Sequence, residues 1–156
     1  MTRHIFAVAV AFAVIAGTYD HASAELSKSV IGAFRGQFVA SEGELPEGKN
    51  DKETIAKIKA AKLSAVTGRA NDEVTVWNFH YTAFLSKTGN VALKMNFMIG
   101  KELKADKQLT GIDPKSPVLI GDITIDEDEG LLKGKTYTVN LMAGRTKVAT
   151  TTLVMK

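Results

Sequence analysis

From about residue 74 to the C-terminus, apolar and polar residues alternate with a period of two, the pattern of strands that turn one face to a core. Trp77, Phe79, Tyr81, Ala83 and Leu85 form one face of a first run. Val91, Leu93, Met95, Phe97 and Ile99 form one face of a second, with Lys87-Thr88-Gly89-Asn90 between them. Gly100-Lys101 then sits between Ile99 and Glu102 as a two-residue turn whose leading glycine supplies the positive φ of a type II′ hairpin. Gly144-Arg145 repeats the device. It joins a strand near 135–143, with Tyr137, Val139 and Leu141 on one face, to a last strand near 147–155. Asp113-Pro114-Lys115-Ser116-Pro117 is loop chemistry, and Val118 to Ile125 reads as a further strand.

Ahead of residue 74 the pattern is less regular. Ala33 to Ser41 is expected as a strand with Phe34 and Phe38 inward, and Gly43 to Gly48 as a loop around Pro46. Asn50 or Asp51 then caps a short helix to about Ala61, because their side chains accept from the free amides of a first helical turn. Its apolar stripe is Ile55 and Ile58 with Ala56 and Ala60 beside them, and Lys57, Lys59 and Lys62 fall on the solvent side. About seven short strands separated by turns, with one short helix, give a mainly β, antiparallel sandwich, since a parallel sheet needs crossover helices. A membrane barrel is disfavoured. The smallest common ones need about eight strands, and no paired aromatic girdles appear.

The N-terminus changes the setting. Met1-Thr2-Arg3-His4, the apolar run Ile5 to Ala16 and the small residues Ala22-Ser23-Ala24 are the three parts of a secretion signal. The run is shorter than the roughly 20 apolar residues that span a bilayer. Residues 1–24 are therefore expected as a cleavable signal peptide and 25–156 as a single domain, not membrane-spanning once cleaved. The chain has no cysteine, so an exported domain of this kind must be held by burial without disulfides. No Asn-x-Ser/Thr acceptor occurs, and with the Ala/Val-rich signal this points to a bacterial envelope: periplasm, cell surface or release into the medium. A net charge of +3 with no basic, aromatic-interleaved patch argues against nucleic acid.

Gly130-Leu131-Leu132-Lys133-Gly134-Lys135-Thr136-Tyr137-Thr138-Val139-Asn140-Leu141 resembles the approach to the penultimate strand of immunoglobulin-like and fibronectin type III-like sandwiches. The resemblance covers the C-terminal third to half of the chain. It implies that Tyr137 is a corner tyrosine whose hydroxyl bonds back to the backbone, and that Leu131 plugs the core. Both roles are structural. The chain departs from antibody-type domains in lacking both cysteines, and a helix before the Trp77 strand is not standard for either family. Such folds host many functions, so the resemblance implies architecture alone.

Candidate chemistry is sparse. His4 and His21 belong to the signal, which leaves His80, flanked by Phe79 and Tyr81. No nucleophile elbow surrounds Ser64, Ser86 or Ser116, so His80 is expected as a half-buried strand histidine bonded to a neighbour. Within the acidic run Asp122, Asp126, Glu127, Asp128 and Glu129, the spacing Asp126-x-Asp128-x-Gly130 partly matches a calcium loop. It lacks the third spaced carboxylate and the distant bidentate Glu, so a solvated acidic turn is expected and calcium is the one ion to consider. Trp77 and Tyr81 share a face that would suit sugar stacking, but Phe79 and Leu85 on the same stripe mark it as core. Met95 and Met98, three apart in a strand, point to opposite faces and read as packing.

No cofactor is implied. The function expected is an exported, non-enzymatic binding or structural module of the bacterial envelope that recognises a protein partner through a sheet edge or loops. The last strand, with Thr150, Thr151 and Thr152, is the edge to examine. The alternative is a carbohydrate-binding or carbohydrate-active protein, recognising a glycan, with Glu42, Glu44, Asp126 and Glu129 as candidate acid and base.

Overall fold

The computed structural model describes residues 25–156; the signal-peptide assignment to 1–24 lies outside the described residues. Helix α1 (Lys28–Phe34) leads into β1 (Phe38–Ser41), helix α2 (Asp51–Ala61), β2 (Ala65–Val66), β3 (Arg69–Asn71) and β4 (Val74–Phe84). There follow β5 (Leu93–Ile99), β6 (Glu102–Gln108), β7 (Val118–Asp126), a one-turn 3-10 helix (Glu127–Glu129), β8 (Lys135–Ala143) and β9 (Thr146–Met155). One sheet centres on β4, flanked by β7 on one side and by β1 and β3 on the other. The second sheet has the order β2-β9-β8-β5-β6, and all its pairings are antiparallel except that of β2 with β9. The fold is thus a mainly β sandwich of two sheets.

Between the sheets lies one core, in which Trp77, Phe38, Tyr81 and Ile125 from the first sheet meet Phe97, Tyr137, Leu141 and Leu153 from the second. Phe38 and Tyr81 stack with ring centroids 5.2 Å apart, and Phe97 meets Tyr137 edge-on at 6.4 Å. A smaller core lies on the outer side of the β4 sheet, where Val30 and Phe34 of α1 and Ile58 of α2 cover Val39 and Phe84. One end of the β4 sheet is consequently buried on both faces. Its other end, with Asn78, Asp122 and Thr124, is bare on the outside.

Local chemistry sets the element ends. Asn50 caps α2 by accepting from Glu53 N at 3.0 Å, and the Glu53 carboxylate accepts from Lys49 N at 2.9 Å. That backbone hydrogen bond, followed by the Lys57 side chain, holds the Glu53 carboxyl below its ordinary range. Gly100 and Gly144 have φ of +59° and +60°, whereas Lys101 and Arg145 are not among the positive-φ residues, the signs a type II′ hairpin requires.

The sequence expectations for β4 to β9 locate strands that are present, while the N-terminal third differs. Nine strands occur among the described residues where about seven were expected, the additions being the two-residue β2 and three-residue β3. The expected strand Ala33–Ser41 is divided. Ala33 and Phe34 end α1, Gly36 turns the chain at φ +80°, and only Phe38–Ser41 is extended. Val91 is 49% exposed and precedes β5, so that strand's core face begins at Leu93.

The last strand is not an edge. Beyond its pairing with β8, its far side is met by the chain crossing between the sheets: Ser86 N donates to Val148 O at 2.8 Å and Thr150 N donates to Gly36 O at 3.1 Å. Val154 N and Lys156 N donate to Ser64 O and Val66 O at 3.0 and 2.8 Å. Main-chain groups that would serve a partner strand at these positions are already paired within the fold.

Candidate functional site

The outer face of the β4 sheet holds a row of polar side chains. Ser41, His80 and Asp122 lie in register on β1, β4 and β7, so they share one face on three neighbouring strands. His80 Nδ1 is 2.9 Å from Asp122 Oδ1, and because a carboxylate only accepts, Nδ1 carries the proton. The row floors a groove of about 790 Å³ that is also lined by Arg69, Asn78 and Thr124. No spacing in the sequence links Ser41 to His80, and only strand pairing brings them together. Ser41 is nevertheless 2% exposed and donates its hydroxyl proton to Gly43 O at 2.7 Å, while His80 Nε2 is buried without a partner. Ser41 thus locks the turn after β1 and does not present a nucleophile to the groove.

The acidic turn is built on its own backbone. Asp126 accepts from Glu129 N at 3.1 Å and Glu129 accepts from Asp126 N at 3.2 Å, a reciprocal capping box. Glu127 accepts from Thr75 N at 2.8 Å, and Glu129 also pairs with Lys107 at 2.9 Å. Asp128 is exposed. Among the described residues no three His, Cys, Asp or Glu side chains are grouped to hold a metal.

Trp77 and Tyr81 are 0% and 2% exposed, so the face they share is core and offers no platform to a sugar ring. Trp77 Nε1 donates to Lys156 O at 3.0 Å, tying the core to the end of β9. Leu131 is buried, and Tyr137 is buried with its hydroxyl accepting from Leu132 N at 2.8 Å. That bond has the form of a tyrosine corner. Glu42 and Glu44 are exposed in the loop after β1, away from the mutually capped Asp126 and Glu129 in chain position and in role.

One open feature beside a groove is the outer edge of β7. Odd-numbered residues direct their main-chain groups to β4, as Pro117 O does at the start of the run in accepting from Leu85 N. Even-numbered residues direct theirs outward. Ser116 Oγ bonds Val118 N and O at 3.4 and 2.6 Å, Lys107 donates to Thr124 O, and Glu129 accepts from Asp126 N. Ile120 and Asp122, between these closures, have no such partner among the described residues. Two donors and two acceptors therefore stand free over a stretch of three residues, and Ile120 is 45% exposed beside them.

Grooves lie on both sides of this gap. On the outside, Ile120 and Val118 face Leu26 and Ile31 across about 370 Å³. Toward the interior, Leu109 to Ile112 face Ile120 to Thr124 across about 500 Å³, with Tyr81 at the floor. Gly121 opens that floor, since a Cβ there would lie 2.9 Å from the Tyr81 hydroxyl. Ile120 and Gly121 were not singled out from sequence, and Tyr81 was weighed only with Trp77 as a sugar-stacking face and read as core. An isolated glycine inside a strand was the available signal, because it marks close approach of a neighbour.

Neither a protein-family model nor a curated protein matches the chain. Among solved structures it is similar to an immunoglobulin-like protein from Pseudomonas aeruginosa, at 10% identity and a TM-score of 0.39, over 77% of this chain and 90% of that one. No helix among the described residues is long and apolar enough to cross a membrane.

Proposed function

We propose that this protein is an exported, non-enzymatic binding module of the bacterial envelope that takes an extended segment of another envelope protein as an added strand on β7. The observation that supports this most is the gap at Ile120 and Asp122, between closures that Ser116 makes at one end of the edge and Lys107 and Glu129 make toward the other. Unpaired main-chain donors and acceptors give strand addition its affinity, and the grooves on either side of the gap receive alternate side chains of the guest.

A photo-crosslinking residue placed at Ile120 is expected to trap a partner in the envelope, whereas one at Leu132, also exposed but off this edge, is not. The trapped segment, made as a synthetic peptide, should slow hydrogen exchange at the Ile120 and Asp122 amides. Asp122→Pro, which removes an outward amide while leaving the β4 ladder, should abolish the adduct. Equal adducts from both positions, or a peptide that leaves the two amides unprotected, overturn the reading. An adduct consisting of a second copy of this chain reassigns the edge to self-association.

A further inference from the structure

The gap in β7 has a chemical bias on its interior side. An added strand places alternate residues over the groove floored by Tyr81, and the one opposite Gly121 meets no side chain from β7. Tyr81 lies directly across from Gly121 on β4, with its ring stacked on Phe38 and its hydroxyl beside the space a Cβ would fill. That hydroxyl has no hydrogen-bond partner among the described residues, and it is not one of the fully enclosed unpaired atoms. A neutral phenol at the bottom of a groove, with a free proton to give, is a reader of acceptors.

We infer that Tyr81 selects guest strands carrying an amide side chain, Asn or Gln, at the inward position opposite Gly121. This deepens the proposed docking on β7 and rests on it. The amide oxygen accepts from the Tyr81 hydroxyl. Its nitrogen finds an acceptor in the same groove at Gln108, whose own amide nitrogen is held by Leu93 O at 3.3 Å and whose oxygen is left over. A carboxylate is disfavoured there. The Asp122 carboxylate, on the outer face beside His80, adds negative charge near the Tyr81 hydroxyl, and the cation that lines the groove, Lys107, is already matched by Glu129. Burial first, and then the negative charge of Asp122, raise the Tyr81 pKa above its ordinary value, so the phenol stays protonated throughout the neutral range.

Random decapeptides displayed and selected in parallel on the wild type and on Tyr81→Phe test the assignment, because phenylalanine keeps the stacked ring and removes only the hydroxyl. On the wild type, Asn or Gln is expected to be enriched at one position of peptides that protect the Ile120 and Asp122 amides. Replacing that residue by Ala should weaken binding about 30-fold, the worth of two ordinary hydrogen bonds. On Tyr81→Phe, which keeps only the Gln108 contact, the enrichment should be weaker and the loss on Ala replacement only about fivefold, the worth of one ordinary hydrogen bond. The same preference on both proteins, no preference on either, or enrichment of Asp or Glu overturns the role of Tyr81 while strand docking stands. Failure to select any peptide that protects those two amides counts against the docking reading itself.

Discussion

β9 and β7 are both long strands at or next to the side of their sheets, yet the far side of one is closed and that of the other is partly open. The far side of β9 receives Gly36 and Ser86 from segments that pass between the sheets, and Ser64 and Val66 at the short strand β2. Among the described residues no crossing segment covers β7. Its closures are side chains at the two ends, Ser116 at one and Lys107 with Glu129 at the other, and the middle is bare. An edge covered by main chain contributes to folding, whereas one closed only at its ends keeps its free middle available for another strand.

The largest effect expected lies on the closed side. Trp77→Ala should cost about 3–5 kcal/mol in chemical denaturation, because it removes the largest fully buried side chain and the donor to Lys156 O. Survival of near wild-type stability would mean that the end of β9 is not anchored through this residue. A matched pair of prolines sharpens the contrast further. Val154→Pro removes an amide that donates to Ser64 O and should cost about 2–3 kcal/mol. Ile120→Pro removes an outward amide with no partner and should cost less than about 1 kcal/mol. Equal losses in thermal melts of the two variants would erase the distinction between the edges.

The smallest effect expected lies outside both edges, at the cap of α2. Glu53 is held below its ordinary value of 4.5 by the Lys49 amide and then by Lys57. A carboxyl with a depressed folded-state pKa contributes stability that is present above its unfolded value and is lost as pH falls through the folded one. Glu53→Gln should therefore lower the melting temperature slightly near neutrality and flatten its decline under acid. An unchanged acid limb in the variant would remove Glu53 from that account.

Much of the strand order was readable because solvent lies on one side of those strands. Trp77 and Phe79 alternate with the exposed Asn78 because the outer face of that end of the sheet is bare. The turns at Gly100 and Gly144 and the Asn50 cap were readable because each is decided by a few adjacent residues. The pattern failed where a third layer lies on the sheet. Phe38-Val39-Ala40-Ser41 is buried at every position, one side against the other sheet and the other under α1 and α2, so no period marks where the strand begins. Helix α1 buries only Val30 and Phe34, too thin a stripe to set it apart from an extended run. Of the candidate site, Gly121 carried the one visible sign; its meaning depended on Tyr81, which strand pairing sets opposite it.

The sequence by itself determined the period of two, the hairpin turns, the capped helix and the reliance on burial without cysteine, because these follow from neighbours in the chain. Only the tertiary structure decided which edge stays open and which polar residues line up. Closing β9 requires Gly36 to reach Thr150, and forming the polar row requires Ser41, His80 and Asp122 to meet across three strands. Those pairings depend on the path of the whole chain between two sheets, which no local run of residues encodes.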